Sequence, residues 1–430
     1  MAITTPKTYR NQVMYSVFVR NHTPEGTFQA LRRDLRRIRD LGVDIIWLMP
    51  IHPIGEKARK GTLGSPYAIR DYRAVNPEFG TLEDLKDLVD DIHGLGMKCI
   101  IDVVYNHTAP DSKLAFEHPE WFYRKPDGSF GNHVGDWTDI IDLDYTNRDL
   151  WDYQIDTLKM WAQIVDGFRC DVAPLVPMEF WGKAREAVEQ VRPGCIWLSE
   201  SVEPGFITYL RSQNLVAHPD YEVFEVFDLA YDYDIFGIFR EVLEGKRPLA
   251  DYAAAVNGQE ALYQDTYVKL RYLENHDQDR ACQIIPDETR LMNWTAFCYF
   301  QKGMMLLYGG QEAGQSHRPS LFDADPVDWS TGKDYSAWMA TLAKIKRDPL
   351  LTDSKYSVAA LPGDILLAVH EREGEKMVGI FCTDTLHTTV EVPLQDGDYT
   401  ELLFGNTVTV QNGSVRVSGT PMIIKNHIFE

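Results

Sequence analysis

Eight times along this chain a short continuous apolar run is followed by a segment of helical periodicity, and that rhythm constrains the fold more than any other feature. The runs lie at 13–20, 43–51, 97–105, 166–171, 195–201, near 223–230, 267–273 and 304–308. Helical patterns follow at 25–41, 82–96, 148–165, 178–191, 204–213, 235–265, 288–302 and 335–347. In the second of these, Leu82, Leu85, Leu88, Val89 and Ile92 form one stripe, Thr81 is an N-cap, and Glu83 and Asp84 suit the first turn. Strands that are apolar along their whole length need cover on both faces, which a parallel sheet wrapped by helices supplies. Eight such units predict an α/β fold, a closed (β/α)8 TIM barrel.

The rhythm breaks twice. Residues 107–147 are polar and aromatic, rich in proline and glycine, and read as a short inserted subdomain after the third strand. From about 350 the chain changes to short alternating segments separated by turns such as Gln411-Asn412-Gly413-Ser414, the pattern of an all-β sandwich. The expected organisation is therefore barrel over 1–106 and 148–349, insert over 107–147, and C-terminal β-sandwich over 350–430.

Net charge is −21, from 64 acidic against 43 basic residues, so nucleic acid and anionic membrane surfaces are not expected partners. The polar stretch 1–12 has no apolar core of a signal peptide, and no run reaches the roughly 18 apolar residues of a membrane span. Six cysteines sit mostly within apolar runs without metal spacing, which suits buried thiols in a reducing compartment. A cytoplasmic location is the expectation, as a monomer or small homo-oligomer.

In a (β/α)8 barrel, chemistry sits at the C-terminal ends of the strands. Strand 3 ends in Asp102-Val103-Val104-Tyr105-Asn106-His107, strand 4 in Arg169 and Asp171, strand 5 in Glu200, and strand 7 in Glu274-Asn275-His276-Asp277. Arg169 and Asp171, two apart on a strand, point the same way, and a guanidinium beside a carboxylate keeps it ionised. An oriented, ionised carboxylate is what a covalent glycosidase needs as its nucleophile. A structural ion pair would explain Arg169 and Asp171 alone, but not so many acids at matching depth, since like charges repel.

These residues carry a resemblance. The runs DVVYNHT (102–108), GFRCDVA (167–173), WLSE (197–200) and ENHD (274–277) resemble the four ordered motifs of the α-amylase family of glycoside hydrolases. SPYAIRDYRAVNPEFGT (65–81), LDY (143–145) and YGGQE (308–312) are similar to that family as well. The resemblance spans roughly 10–350 and implies a retaining α-glucan hydrolase acting mainly on α-1,4 bonds of maltooligosaccharides. It implies Asp171 as nucleophile, Glu200 as general acid and base, and Asp277 as the acid that binds sugar hydroxyls and helps distort the ring. Arg169 would orient Asp171, His107 and His276 would bond sugar hydroxyls, and Tyr67 would stack on the sugar ring. Asp102 is expected to support the barrel, while Glu274 is open between support and catalysis.

Some positions depart from the family pattern. Many relatives carry Lys-His three and four residues past the nucleophile, where this chain has Pro174 and Leu175. No metal or other cofactor is expected; were calcium bound, Asn106 and Asp142 would be its candidate ligands. Val172 resembles relatives that tolerate α-1,6 bonds, and no N-terminal sugar-binding domain of the kind found in cyclodextrin-degrading relatives is read here. An α-glucosidase, a neopullulanase-like enzyme and a sucrose- or trehalose-type transglycosylase share the implied fold. An inactive binding subunit is the reading from another class, and retention of all three carboxylates argues against it. Trp121, Phe122, Tyr123, Phe130 and Trp137 in the insert are either stacking platforms for sugar or the insert's own core.

Overall fold

The computed structural model describes residues 4–134, 137–383 and 387–426, so the first three residues of the polar N-terminal stretch lie outside it. Eight parallel strands close on themselves: β1 (Val13–Val17), β2 (Ile45–Leu48), β3 (Lys98–Val103), β4 (Gly167–Cys170), β5 (Ile196–Ser199), β6 (Leu229–Tyr231), β7 (Lys269–Arg271) and β8 (Met304–Tyr308). Closure comes where Val13 lies opposite Met305 and Ser16 opposite Tyr308. Apart from Lys98, every residue of these strands is buried, as continuous apolar runs demand when helices cover the outer face.

The helix after β2 is Leu82–Gly94, and Thr81 starts it with a reciprocal capping box to Asp84. Two expectations need correction. The stripe over 25–41 is not one helix but two, Phe28–Arg32 and Leu35–Asp40. Between them Arg33 and Asp34 donate to Ala30 and Leu31, tightening the turn, and the Asp34 carboxylate binds His22 and Arg37. The strand expected near 223–230 shrinks to Leu229–Tyr231, because Asp220–Val223 is a helical turn whose Asp220 carboxylate meets the buried Lys269 ammonium.

After the barrel, β9 (Lys355–Leu361), β10 (Ile365–Arg372), β11 (Glu375–Cys382) and β16 (Met422–Lys425) form one antiparallel sheet. Two ribbons, β12 (Thr388–Glu391) with β15 (Ser414–Val417) and β13 (Gly397–Thr400) with β14 (Thr407–Val410), pack on it. Ile365, Val378, Ile380, Val390, Val410, Val415 and Ile424 make the core between them. β13 ends at Thr400, since the Glu401 carboxylate accepts from the amides of Leu403 and Phe404 and bends the chain. Phe381 packs on Phe297 and Phe300, joining this domain to the barrel's outer layer.

Candidate active site

Strand register sets the site. Gly167 opens β4 at a point where a Cβ would fall 2.4 Å from the Ile196 carbonyl, so only glycine lets β4 and β5 approach there. The ladder continues past both strands: Asp171 donates its amide to Val103 at 2.9 Å, and Glu200 donates its amide to Cys170 at 3.0 Å. Asp171 and Glu200 are thereby fixed by backbone on adjacent strands at one height, buried but reaching a cavity.

Beneath them lies Arg169, fully buried among the rings of Trp47, Tyr67 and Tyr231. Its Nη1 donates to both oxygens of Asp102, at 2.9 and 3.1 Å, and to Asp171 Oδ1 at 2.7 Å. Its Nη2 lies 2.9 Å from Glu200 Oε2 but at an angle that makes no hydrogen bond, so charge rather than a directed bond joins them. Glu200 Oε2 is instead held by the Val172 amide at 2.8 Å. One guanidinium therefore serves three carboxylates, and Asp102, with no exposure, is its buried anchor.

Across the cavity, His276 Nε2 lies 2.8 Å from Tyr67 Oη and 3.0 Å from Asp277 Oδ2. An ionised Asp277 can only accept, so the imidazole proton belongs on Nε2. Tyr67 Oη in turn donates to Asp102 Oδ2 at 3.2 Å, and its ring stacks on His276 with centroids 5.4 Å apart. Asn275 Oδ1 accepts from the Asp277 amide and Arg318 donates to the His276 carbonyl, which fix the turn after β7.

The acids are driven apart electrostatically. Burial pushes Glu200 well above the usual carboxylate range; Arg169 opposes this, and the negative charges of Asp171 and Asp277 add to it. Burial also works against ionised Asp277, but His276 and Arg169 outweigh it and hold that acid down at about 2. Glu200 thus keeps a proton it can give up, while Asp277 stays ionised and can accept hydrogen bonds.

The cavity has a volume of about 320 Å³, and Tyr67, His107, Asp171, Glu200, His276 and Asp277 all reach it, whereas Arg169 is fully buried and does not line it. His107 also tilts against Trp137, centroids 5.6 Å apart. Within the insert, Trp121 and Phe122 are buried in the core and Phe130 packs on Phe122, while Trp137 lines the cavity. Sequence reasoning missed Lys60, Asp139, Leu321 and Phe322, which also border it. Tertiary contacts bring them there, and no spacing in the chain signals it. A more open hollow of about 550 Å³, bordered by His22, Arg37 and Trp329, contains none of the acids that end β3, β4, β5 or β7.

Glu274 resolves as support: buried, it accepts from Arg280 Nη1 and from the Ala281 amide and does not reach the cavity. Asn106 and Asp142 border a separate hollow. Asp142 Oδ2 accepts from the amide and Nδ1 of His133, leaving Oδ1 buried without a partner, and the Asn106 amide lies against His107 Nδ1. Calcium takes about 6 to 8 oxygen ligands. Asn106 and Asp142 offer at most three side-chain oxygens between them, and among the described residues no group of three or more His, Cys, Asp or Glu side chains could hold a metal ion.

Paired strand-end carboxylates around one guanidinium, at the mouth of a (β/α)8 barrel, define an active site of the glycoside hydrolase class. Comparison with known proteins agrees. A family described as alpha amylase, catalytic domain, matches residues 10–126 and 111–355, and one described as bacterial alpha amylase C-terminal domain matches 357–424. The chain belongs to the α-amylase family. It is 27% identical to Alpha-amylase MalA of Haloarcula japonica, over 95% of this chain and 62% of MalA, so it spans less than two thirds of that relative. It is 33% identical to Alpha-1,4-glucan:maltose-1-phosphate maltosyltransferase of Myxococcus xanthus, over 45% of this chain and 32% of that one. Among solved structures, an alpha-amylase from Lactobacillus plantarum is 46% identical with a TM-score of 0.96, covering 98% of this chain and 100% of that one. A noncanonic maltogenic alpha-amylase, AmyB from Thermotoga neapolitana, is 31% identical with a TM-score of 0.87, over the same shares.

Proposed function

We propose that this chain is a retaining α-glucan hydrolase that cleaves mainly α-1,4 bonds of maltooligosaccharides through a covalent glycosyl intermediate. The observation that carries this reading is Arg169, set between Asp171 and Glu200 at 2.7 and 2.9 Å. Arg169 occupies Asp171 Oδ1, which leaves Oδ2 to attack the anomeric carbon. As that bond forms, the bond to the leaving oxygen breaks and Glu200 gives the oxygen its proton. Glu200, now a carboxylate, takes a proton from water; the water oxygen attacks the same carbon and frees Asp171. Asp277 and His276 bind hydroxyls of the reacting sugar, His107 binds another from the side of β3, and the exposed face of Tyr67 takes the ring. The Asp171→Asn variant is expected to lose hydrolysis of a maltoside by at least about 10³-fold while still folding; near-full activity would remove the assignment.

Transfer to a sugar acceptor is the second reading, favoured by the similarity to maltosyltransferases. The reading includes no calcium, so activity and thermal stability should be the same with and without a chelator. It also includes a cytoplasmic protein, monomer or small homo-oligomer, with no nucleic-acid or membrane partner. Six free, buried cysteines support the reducing compartment, and among the described residues no helix is long and apolar enough to cross a membrane.

A further inference from the structure

Three chain segments are tied together on one side of the cavity. Leu63 donates its amide to the Phe322 carbonyl at 2.9 Å, and the Thr62 amide and hydroxyl both donate to Asp323 Oδ1, at 2.8 and 2.7 Å. Arg20, buried just past β1, donates to the carbonyls of Gly64, Leu63 and Leu321. Gly61 presses so closely on this junction that a Cβ would fall 2.6 Å from the Phe322 Cβ, and its φ of +62° also favours glycine. From the same loop Lys60 reaches Asp139, beyond β3, as a 2.9 Å ion pair. Lys60, Asp139, Leu321 and Phe322 all line the cavity that holds Asp171 and Glu200.

The wall is built from segments that follow β1, β2, β3 and β8, whereas Glu200 ends β5, which faces β1 across a closed ring of eight strands. An acid must stand beside the oxygen it protonates, so the leaving, reducing-end part of a glucan departs on the side of Glu200. The retained, non-reducing part then runs toward the wall. At about 320 Å³ the cavity is at the small end of ligand pockets, which run from about 300 to 1,000 Å³.

Resting on the hydrolase reading above, we infer that the wall pinned by Lys60–Asp139, Thr62–Asp323 and Arg20 stands across the path of the retained chain, so that the enzyme attacks glucans from their non-reducing ends. Lys60, Asp139, Leu321 and Phe322 are then specificity-determining residues that fix the length of the released product.

The test compares maltoheptaose with a maltoheptaoside whose terminal glucose carries an acetal across O4 and O6, following products by chromatography at early times. The expected result is one dominant short product from the free substrate and at least tenfold slower cleavage of the capped one. Asp139→Ala and Lys60→Ala should raise the capped-to-free ratio by opening the wall. Equal rates on both substrates in the unmodified enzyme, with a mixture of product lengths, would overturn the inference without needing either variant. No cleavage of either substrate would refute the hydrolase reading itself, and the inference with it.

Discussion

The amide of Val172 donates to Glu200 Oε2 at 2.8 Å, so the residue that follows one strand-end acid holds the other. To do so Val172 adopts φ 34° and ψ 43°, a left-handed conformation that is an outlier for a β-branched side chain. Such strain costs about 1–3 kcal/mol and persists where surrounding contacts impose it. Here they are the Asp171–Val103 and Glu200–Cys170 backbone bonds on either side.

Ordinarily alanine is more stabilising than glycine within regular structure by about 0.5–1 kcal/mol. At position 172 the order should reverse, with Val172→Gly melting above Val172→Ala. Calorimetry of the two variants decides this, and an alanine variant that melts higher would mean the left-handed turn carries no strain.

Glu200 should control the alkaline limb of activity. It must be protonated to act as acid, and its pKa is raised by burial and by the charges of Asp171 and Asp277, so kcat/KM should fall as pH rises through that raised value. Asp277→Asn removes one of those charges and should move the limb of the residual activity to lower pH. Stability follows the same sign. Folded Glu200 holds its proton more tightly than the unfolded chain, so ionising it destabilises the fold as pH climbs from the ordinary carboxylate range through the raised value. The melting temperature of Glu200→Gln relative to the parent should therefore increase with pH over that window; a constant difference would contradict the burial argument.

Arg169 should matter for stability as well as chemistry. Arg169→Ala leaves Asp102 buried beside two further acids without a counter-charge, a change that costs about 3–5 kcal/mol in denaturant unfolding. Arg169→Lys should recover little of this, since an ammonium cannot reproduce the guanidinium's planar fork toward Asp102, Asp171 and Glu200. A lysine variant of parental stability would show that point charge alone suffices.

What the sequence discloses is what local pattern encodes. Continuous apolar runs locate the eight barrel strands because burial on both faces leaves no polar alternation, and strand ends then locate Asp171, Glu200 and Asp277. The Thr81 cap was legible for the same reason, since its partner Asp84 is three residues away. The role of Asp102 under Arg169 was half legible: its strand position says buried, but only the register of β3 and β4 brings the two together. Lys60, Asp139, Leu321 and Phe322 were not legible at all. They meet through contacts between loops from different strands, where side-chain type carries no periodic signal. The split of 25–41 into two helices was hidden likewise, because the pull of His22 on Asp34 comes from another element.

The central claim is that Asp171 forms a covalent bond to the sugar and Glu200 serves twice, once as acid and once as base. The measurement that tests it most directly is proton NMR of the anomeric signals during the first turnovers of a maltooligosaccharide, before mutarotation mixes them. Two inversions at one carbon return the starting configuration, so the newly released reducing end should appear as the α-anomer. A first product in the β-configuration would mean that water attacks directly, and the covalent role of Asp171 would be wrong.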